Sequence, residues 1–79
     1  MTIYTLNWYA YAEVSKDLDG GFVAAFSSFE EAKAEMQRNV KLNASRHPKT
    51  EVTEDEFSTR VTREGYSVTF YISEFDNIC

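Results

Sequence analysis

Along residues 3–14, apolar and aromatic side chains recur at every second position: Tyr4, Leu6, Trp8, Ala10, Ala12 and Val14. A period of two predicts a β-strand, because successive side chains of an extended chain point to opposite faces. The alternate set, Ile3, Thr5, Asn7, Tyr9, Tyr11 and Glu13, is mixed, as suits a face that meets solvent or a partner. Asp19-Gly20-Gly21 has turn chemistry, so the polar stretch 15–21 is expected to reverse the chain into a returning strand over 22–26.

The period then changes. Ser28 and Glu31 have the spacing of a capping box, in which the hydroxyl accepts from a free backbone N–H and the carboxylate reaches back. Phe29, Ala32, Met36, Val40 and Asn43 or Ala44 follow at steps of three and four, a narrow apolar stripe that predicts an amphipathic helix. Glu30, Glu31 and Glu35 lie early and Arg38, Lys41 and Arg46 late, the arrangement that complements a helix dipole. Pro48 disfavours helical geometry at His47, so the helix is expected to stop near Ala44.

Residues 50–56 admit a loop, a strand or a short helix, since Thr53 and Glu56 repeat the capping-box spacing. The preferred reading starts a strand at about Phe57. Residues 57–62, the turn Arg63-Glu64-Gly65 and residues 66–73 then form a second hairpin rich in β-branched residues. Tyr66, Val68, Phe70 and Ile72 are expected to face the helix, with Phe57, Thr59 and Val61 beside them on the neighbouring strand. The expected fold is α+β in the order ββαββ: a four-stranded, mainly antiparallel sheet with one helix on one face, in a single domain spanning residues 1–79.

Composition narrows the function classes. A chain of 79 residues buries only about 60% of the surface its unfolded form exposes, so the core is thin. One Trp, five Tyr and six Phe offset that limit and argue against disorder. Thirteen acids against eight bases give a net charge of −5, which argues against nucleic acid or anionic membrane as partner and fits either a basic partner or plain solubility, the commoner reason for such a charge. Cys79 is the only cysteine, so no intramolecular disulfide forms and a reducing, cytoplasmic home is expected, the host cytoplasm if the chain is phage-encoded. Ala10-Tyr11-Ala12 looks like a signal-peptidase site, but no base precedes it and Asn7 breaks the apolar run, so no signal peptide is expected. Asn43-Ala44-Ser45 matches a glycosylation sequon that has no consequence without secretion. No apolar run approaches the roughly 20 residues of a membrane span.

Candidate chemistry is sparse. The lone histidine, His47, reads as a solvated loop residue, and Cys79 lacks an orienting base. Asp17-x-Asp19-Gly20 overlays part of a calcium-binding loop, yet Phe26 stands where the bidentate Glu is required, so a plain hairpin turn is preferred. Gly20-Gly21 leads into a strand and not a helix, which leaves phosphate cradling unsupported. Neither a catalytic residue nor a cofactor or metal site is expected.

Two surface features remain. The bases Arg38, Lys41, Arg46 and Lys49 are followed at once by Glu51, Glu54, Asp55 and Glu56, and Glu64 on the later turn extends the acidic set. A solvated loop is the ordinary reading of such a run; the functional one is that the acids offer a protein partner carboxylates in place of phosphates. Strand parity also places Ile3, Tyr9, Tyr11, Tyr71 and Phe75 on the sheet face away from the helix, which a single helix leaves uncovered. A non-enzymatic protein-binding module is therefore expected, with Glu51, Glu54, Asp55, Glu56, Glu64, Tyr9, Tyr11 and Tyr71 at its partner site. In size, acidity and lack of a catalytic motif, the chain is similar in general build to small phage-encoded inhibitors of bacterial defence, anti-CRISPR proteins among them. That likeness implies stoichiometric blockade of a basic nucleic-acid-binding surface. The alternatives are an adaptor or structural protein that forms a homodimer through the aromatic face, and a nucleic-acid binder using the four bases with tyrosines as stacking platforms.

Overall fold

The computed structural model describes residues 2–46 and 49–76. Strands β1 (Ile3–Ala12) and β2 (Asp17–Phe26) precede the helix α1 (Phe29–Ser45). Strands β3 (Glu51–Glu54), β4 (Ser58–Arg63) and β5 (Tyr66–Phe75) follow it. All five join one antiparallel sheet in the order β2-β1-β5-β4-β3. The α+β class and the single helix agree with the sequence pattern.

The strand count differs: among the described residues there are five, not four, because residues 51–54 pair with β4. Val52 lies opposite Val61 and Thr53 opposite Arg60, and Asp55 N–H donates to the Ser58 carbonyl at 2.7 Å to close the turn. Thr53 and Glu56 thus serve an edge strand and its turn instead of capping a helix.

The first hairpin also turns earlier than its glycines suggest. Residues 13–16 make the reversal, with Lys16 in the left-handed region at φ 56°. Asp17, Asp19, Gly20 and Gly21 are paired strand residues opposite Ala12, Ala10, Tyr9 and Trp8. Gly21 is small for a packing reason: a Cβ there would stand 3.0 Å from Trp8 Nε1, so the indole covers the glycine from the neighbouring strand. A register shift between Leu6 and Asn7 skips Val23, putting Ala24 opposite Leu6 and Phe22 opposite Asn7.

The helix begins where expected. Ser28 is extended and its Oγ accepts from Glu31 N–H at 3.2 Å, while Ala32, Met36 and Val40 form the buried stripe. Its last turn holds no base, a departure from the expected charge pattern; Arg38 pairs with Glu35 and Arg46 occupies the C-cap. The stripe packs on Leu6, Ala10, Val61, Val68, Phe70 and Ile72, and Leu6 and Met36 are fully buried. At the helix start, Phe29 sits edge-on between Tyr4 and Phe57, with centroids at 5.9 and 5.2 Å. Even-numbered residues of β1 and β5 therefore face α1, leaving the odd-numbered ones to the other face.

Candidate interaction surface

On that second face, the β1/β5 register sets Asn7 opposite Tyr71, Tyr9 opposite Thr69 and Tyr11 opposite Ser67. No other element of the described residues packs there, since α1 is the only helix and it covers the opposite side. Tyr9 and Tyr11 are 40% and 39% exposed, and Leu18 and Phe22 of the outer strand β2, opposite Tyr11 and Asn7, share their face. Phe75 extends the apolar surface at the far end, opposite Ile3. Tyr71 is half-buried, its ring 5.9 Å from that of Tyr9 and tilted by 53°.

The middle of the face is polar. Tyr9, Tyr71, Thr69, Arg60, Ser58, Thr53 and Asp55 line a shallow depression of about 470 Å³. Thr69 is buried at its floor, and its hydroxyl accepts from Arg60 Nε at 3.3 Å. The Thr69 hydroxyl, and then the Arg60 guanidinium, hold the Tyr9 phenol below the ordinary tyrosine value against a smaller opposing effect of desolvation. Among the described residues Arg60 has no carboxylate within ion-pair distance.

The acids of the sequence pattern fall into separate positions. Glu51 and Glu54 stand on the edge strand β3, on opposite faces, because Glu51 pairs with Thr62 and Glu54 with the buried Thr59. Asp55 and Glu56 occupy the β3–β4 turn, whose carbonyls both accept from Lys33 Nζ, at 2.9 and 2.8 Å. All four are exposed. Glu64 sits on the β4–β5 turn, at the other end of β4 from Asp55 and Glu56, and is not part of their cluster. Arg38 and Lys41 belong to the helix, across the sheet from the tyrosines, so these bases and rings do not share a surface. His47 and Cys79 lie outside the described residues.

Sequence reasoning missed Arg60, Thr69, Leu18 and Phe22. Arg60 and Thr69 carry a signal in hindsight, since each sits one position off a core residue, Val61 and Val68 respectively, and so must face the other side. Leu18 and Phe22 were hidden by the misplaced turn and the register shift. Groups of three or more His, Cys, Asp or Glu able to hold a metal do not occur among the described residues, and no helix there is long and apolar enough to cross a membrane. No protein-family model matches the chain, and neither a curated protein nor a solved structure matches it significantly.

Proposed function

We propose that this chain is a non-enzymatic protein-binding module that acts by occupying a partner's surface, as a stoichiometric inhibitor or adaptor. The observation that carries the reading is the uncovered sheet face, where Tyr9, Tyr11, Leu18, Phe22 and Phe75 expose apolar surface without a second layer. Aromatic rings with hydroxyl tips suit such a role, because the ring buries area while the hydroxyl keeps a hydrogen bond. Glu51 stands at the β3 edge of this face and Asp55 and Glu56 occupy the adjoining turn, while Glu54 points to the helix side of the same strand. Together these exposed acids fit a partner with a basic surface that reaches around the edge, such as a nucleic-acid-binding cleft. Blockade is then steric, with carboxylates taking the places of phosphates, as in anti-defence inhibitors of the anti-CRISPR kind.

Affinity capture from the native host, followed by binding assays on the co-purified protein, tests this. Binding should weaken as salt rises, and Glu51→Lys with Glu56→Lys should weaken it by about tenfold or more. Asp55 is left intact because its carboxylate accepts from Glu56 N–H within its own turn. Unchanged affinity in the double variant removes the charge mechanism; a partner that binds Tyr11→Ser and Phe22→Ser as tightly as the native chain removes the surface.

A second reading, a homodimer through the same face, is favoured by β2. This ten-residue edge strand leaves one side of its main chain unpaired beside exposed Leu18 and Phe22. Sedimentation over a concentration series separates the two, since only self-association makes mass depend on protein concentration.

A further inference from the structure

We propose that the depression around Arg60 is an anchor subsite that receives one carboxylate side chain of the docked protein. The inference rests on the protein-binding reading and adds the chemistry at the centre of the face. Arg60 stands on β4 between Thr53 of β3 and Thr69 of β5, so its side chain rises in the middle of three strands. Thr69 is held at 6% exposure on the floor of the depression and takes the Nε donor. That hydrogen bond engages Nε and leaves the terminal amino groups as the donors whose fork of parallel N–H groups matches a carboxylate. The Ser58 and Thr53 hydroxyls line the same depression and can donate to the outer lone pairs of such a guest.

Charge sets the class of ligand. Arg60 is a cation without a carboxylate partner among the described residues, in a chain of net charge −5. Asp55 lines the same depression, Glu51 stands on the same face of the adjoining strand, and Glu56 follows in the β3–β4 turn. These carboxylates repel every further negative charge on a guest. A singly charged carboxylate is therefore favoured over a phosphate monoester or a nucleic-acid strand. The surroundings also have the composition of an interface anchor: Tyr9 and Tyr71 flank the arginine and exclude water once a partner covers them.

The test needs no partner, so its outcome is independent of whether capture from the host succeeds. The whole chain is titrated with hippurate, one carboxylate beside a ring, and separately with its uncharged amide, inorganic phosphate and a short oligothymidylate, while backbone amide shifts are followed by NMR. Hippurate should move Thr53, Ser58, Arg60 and Thr69 together in the millimolar range, and the amide should bind about tenfold more weakly or worse. Arg60→Gln should abolish the response, Arg60→Lys should retain a weakened one, and Thr69→Val should weaken it with the fold preserved in the spectrum. Equal response to the amide, survival in Arg60→Gln, or tighter binding of phosphate or oligothymidylate overturns the proposal. The last result reassigns the subsite to phosphate-bearing ligands. Loss of partner capture with an intact hippurate response counts against the protein-binding reading alone.

Discussion

Substitutions on the two faces of the sheet should differ in cost by several-fold. Met36 is 0% exposed at the centre of the helix stripe, so Met36→Ala leaves a cavity between α1 and the sheet and should cost about 2–5 kcal/mol. A chain of 79 residues has roughly 4–12 kcal/mol in total, so this one change removes a large share. Leu18 and Phe22 on the open face are 73% and 62% exposed, and threonine keeps a β-branched side chain in the strand. Leu18→Thr should therefore stay within about 0.5 kcal/mol, and Phe22→Thr should cost at most about 1 kcal/mol. Urea unfolding followed by circular dichroism measures all three. With a slope of about 1 kcal/mol per molar for so small a chain, Met36→Ala should lower the midpoint by roughly 2 M or more and Leu18→Thr by about half a molar at most. If Leu18→Thr or Phe22→Thr lowers the midpoint as far as Met36→Ala, the open face is covered in solution and the reasoning fails. A cost below about 1 kcal/mol for Met36→Ala would equally show that α1 is not the cover of the opposite face.

Two further outcomes follow from local chemistry. Ser28→Ala removes the acceptor for Glu31 N–H and should cost about 1 kcal/mol, with Ser28→Asp recovering most of it, both read from the same urea transitions. In a tyrosine-resolved NMR titration Tyr9 should ionise at lower pH than Tyr4, whose phenol is raised by desolvation and by Glu74, Asp76 and Glu30. Thr69→Val should move Tyr9 back up. The folded chain holds the Tyr9 proton less tightly than the unfolded one, so the contribution of Tyr9 is present above the ordinary value near 10 and is lost as pH falls through its lowered folded value. Tyr4 has the opposite sign, its contribution fading as pH rises beyond that ordinary value.

The helix and the inner strands were legible in the sequence because each buries one face against the other. Burial forces the periodicity: Ala32, Met36 and Val40 repeat at helical steps, and Leu6, Ala10, Val68, Phe70 and Ile72 keep strict parity. The outer strands face weaker demands. All four residues of β3 are exposed, so no alternation marks Glu51–Glu54 as a strand, and its charges read equally well as a loop. In β2 the two glycines serve packing beside Trp8 and Tyr9, and nothing in their local chemistry distinguishes that use from a turn. The tyrosines of the candidate site followed from parity, and parity also sets Arg60 and Thr69 on their face, but that the two are direct cross-strand partners joined by a hydrogen bond depends on the exact β4–β5 register.

The skipped residue in β2 decides what the open face offers. With uninterrupted pairing, Ala24 opposite Leu6 would place Val23 opposite Asn7 and Phe22 opposite Trp8, on the helix side. Two large rings would then meet at one cross-strand pair, and valine alone would stand beside Asn7. Because Val23 is bypassed, Phe22 moves to the open face and Gly21 comes beneath the Trp8 indole instead. The same shift sets Gly20 opposite Tyr9 and Leu18 opposite Tyr11, so Leu18 and Phe22 line up with the tyrosines on one surface. One irregularity thus relieves crowding on the covered side and adds apolar area to the uncovered side. A purely structural bulge accounts for the first effect; the second, which leaves Phe22 62% exposed, is what the proposed interaction surface would use.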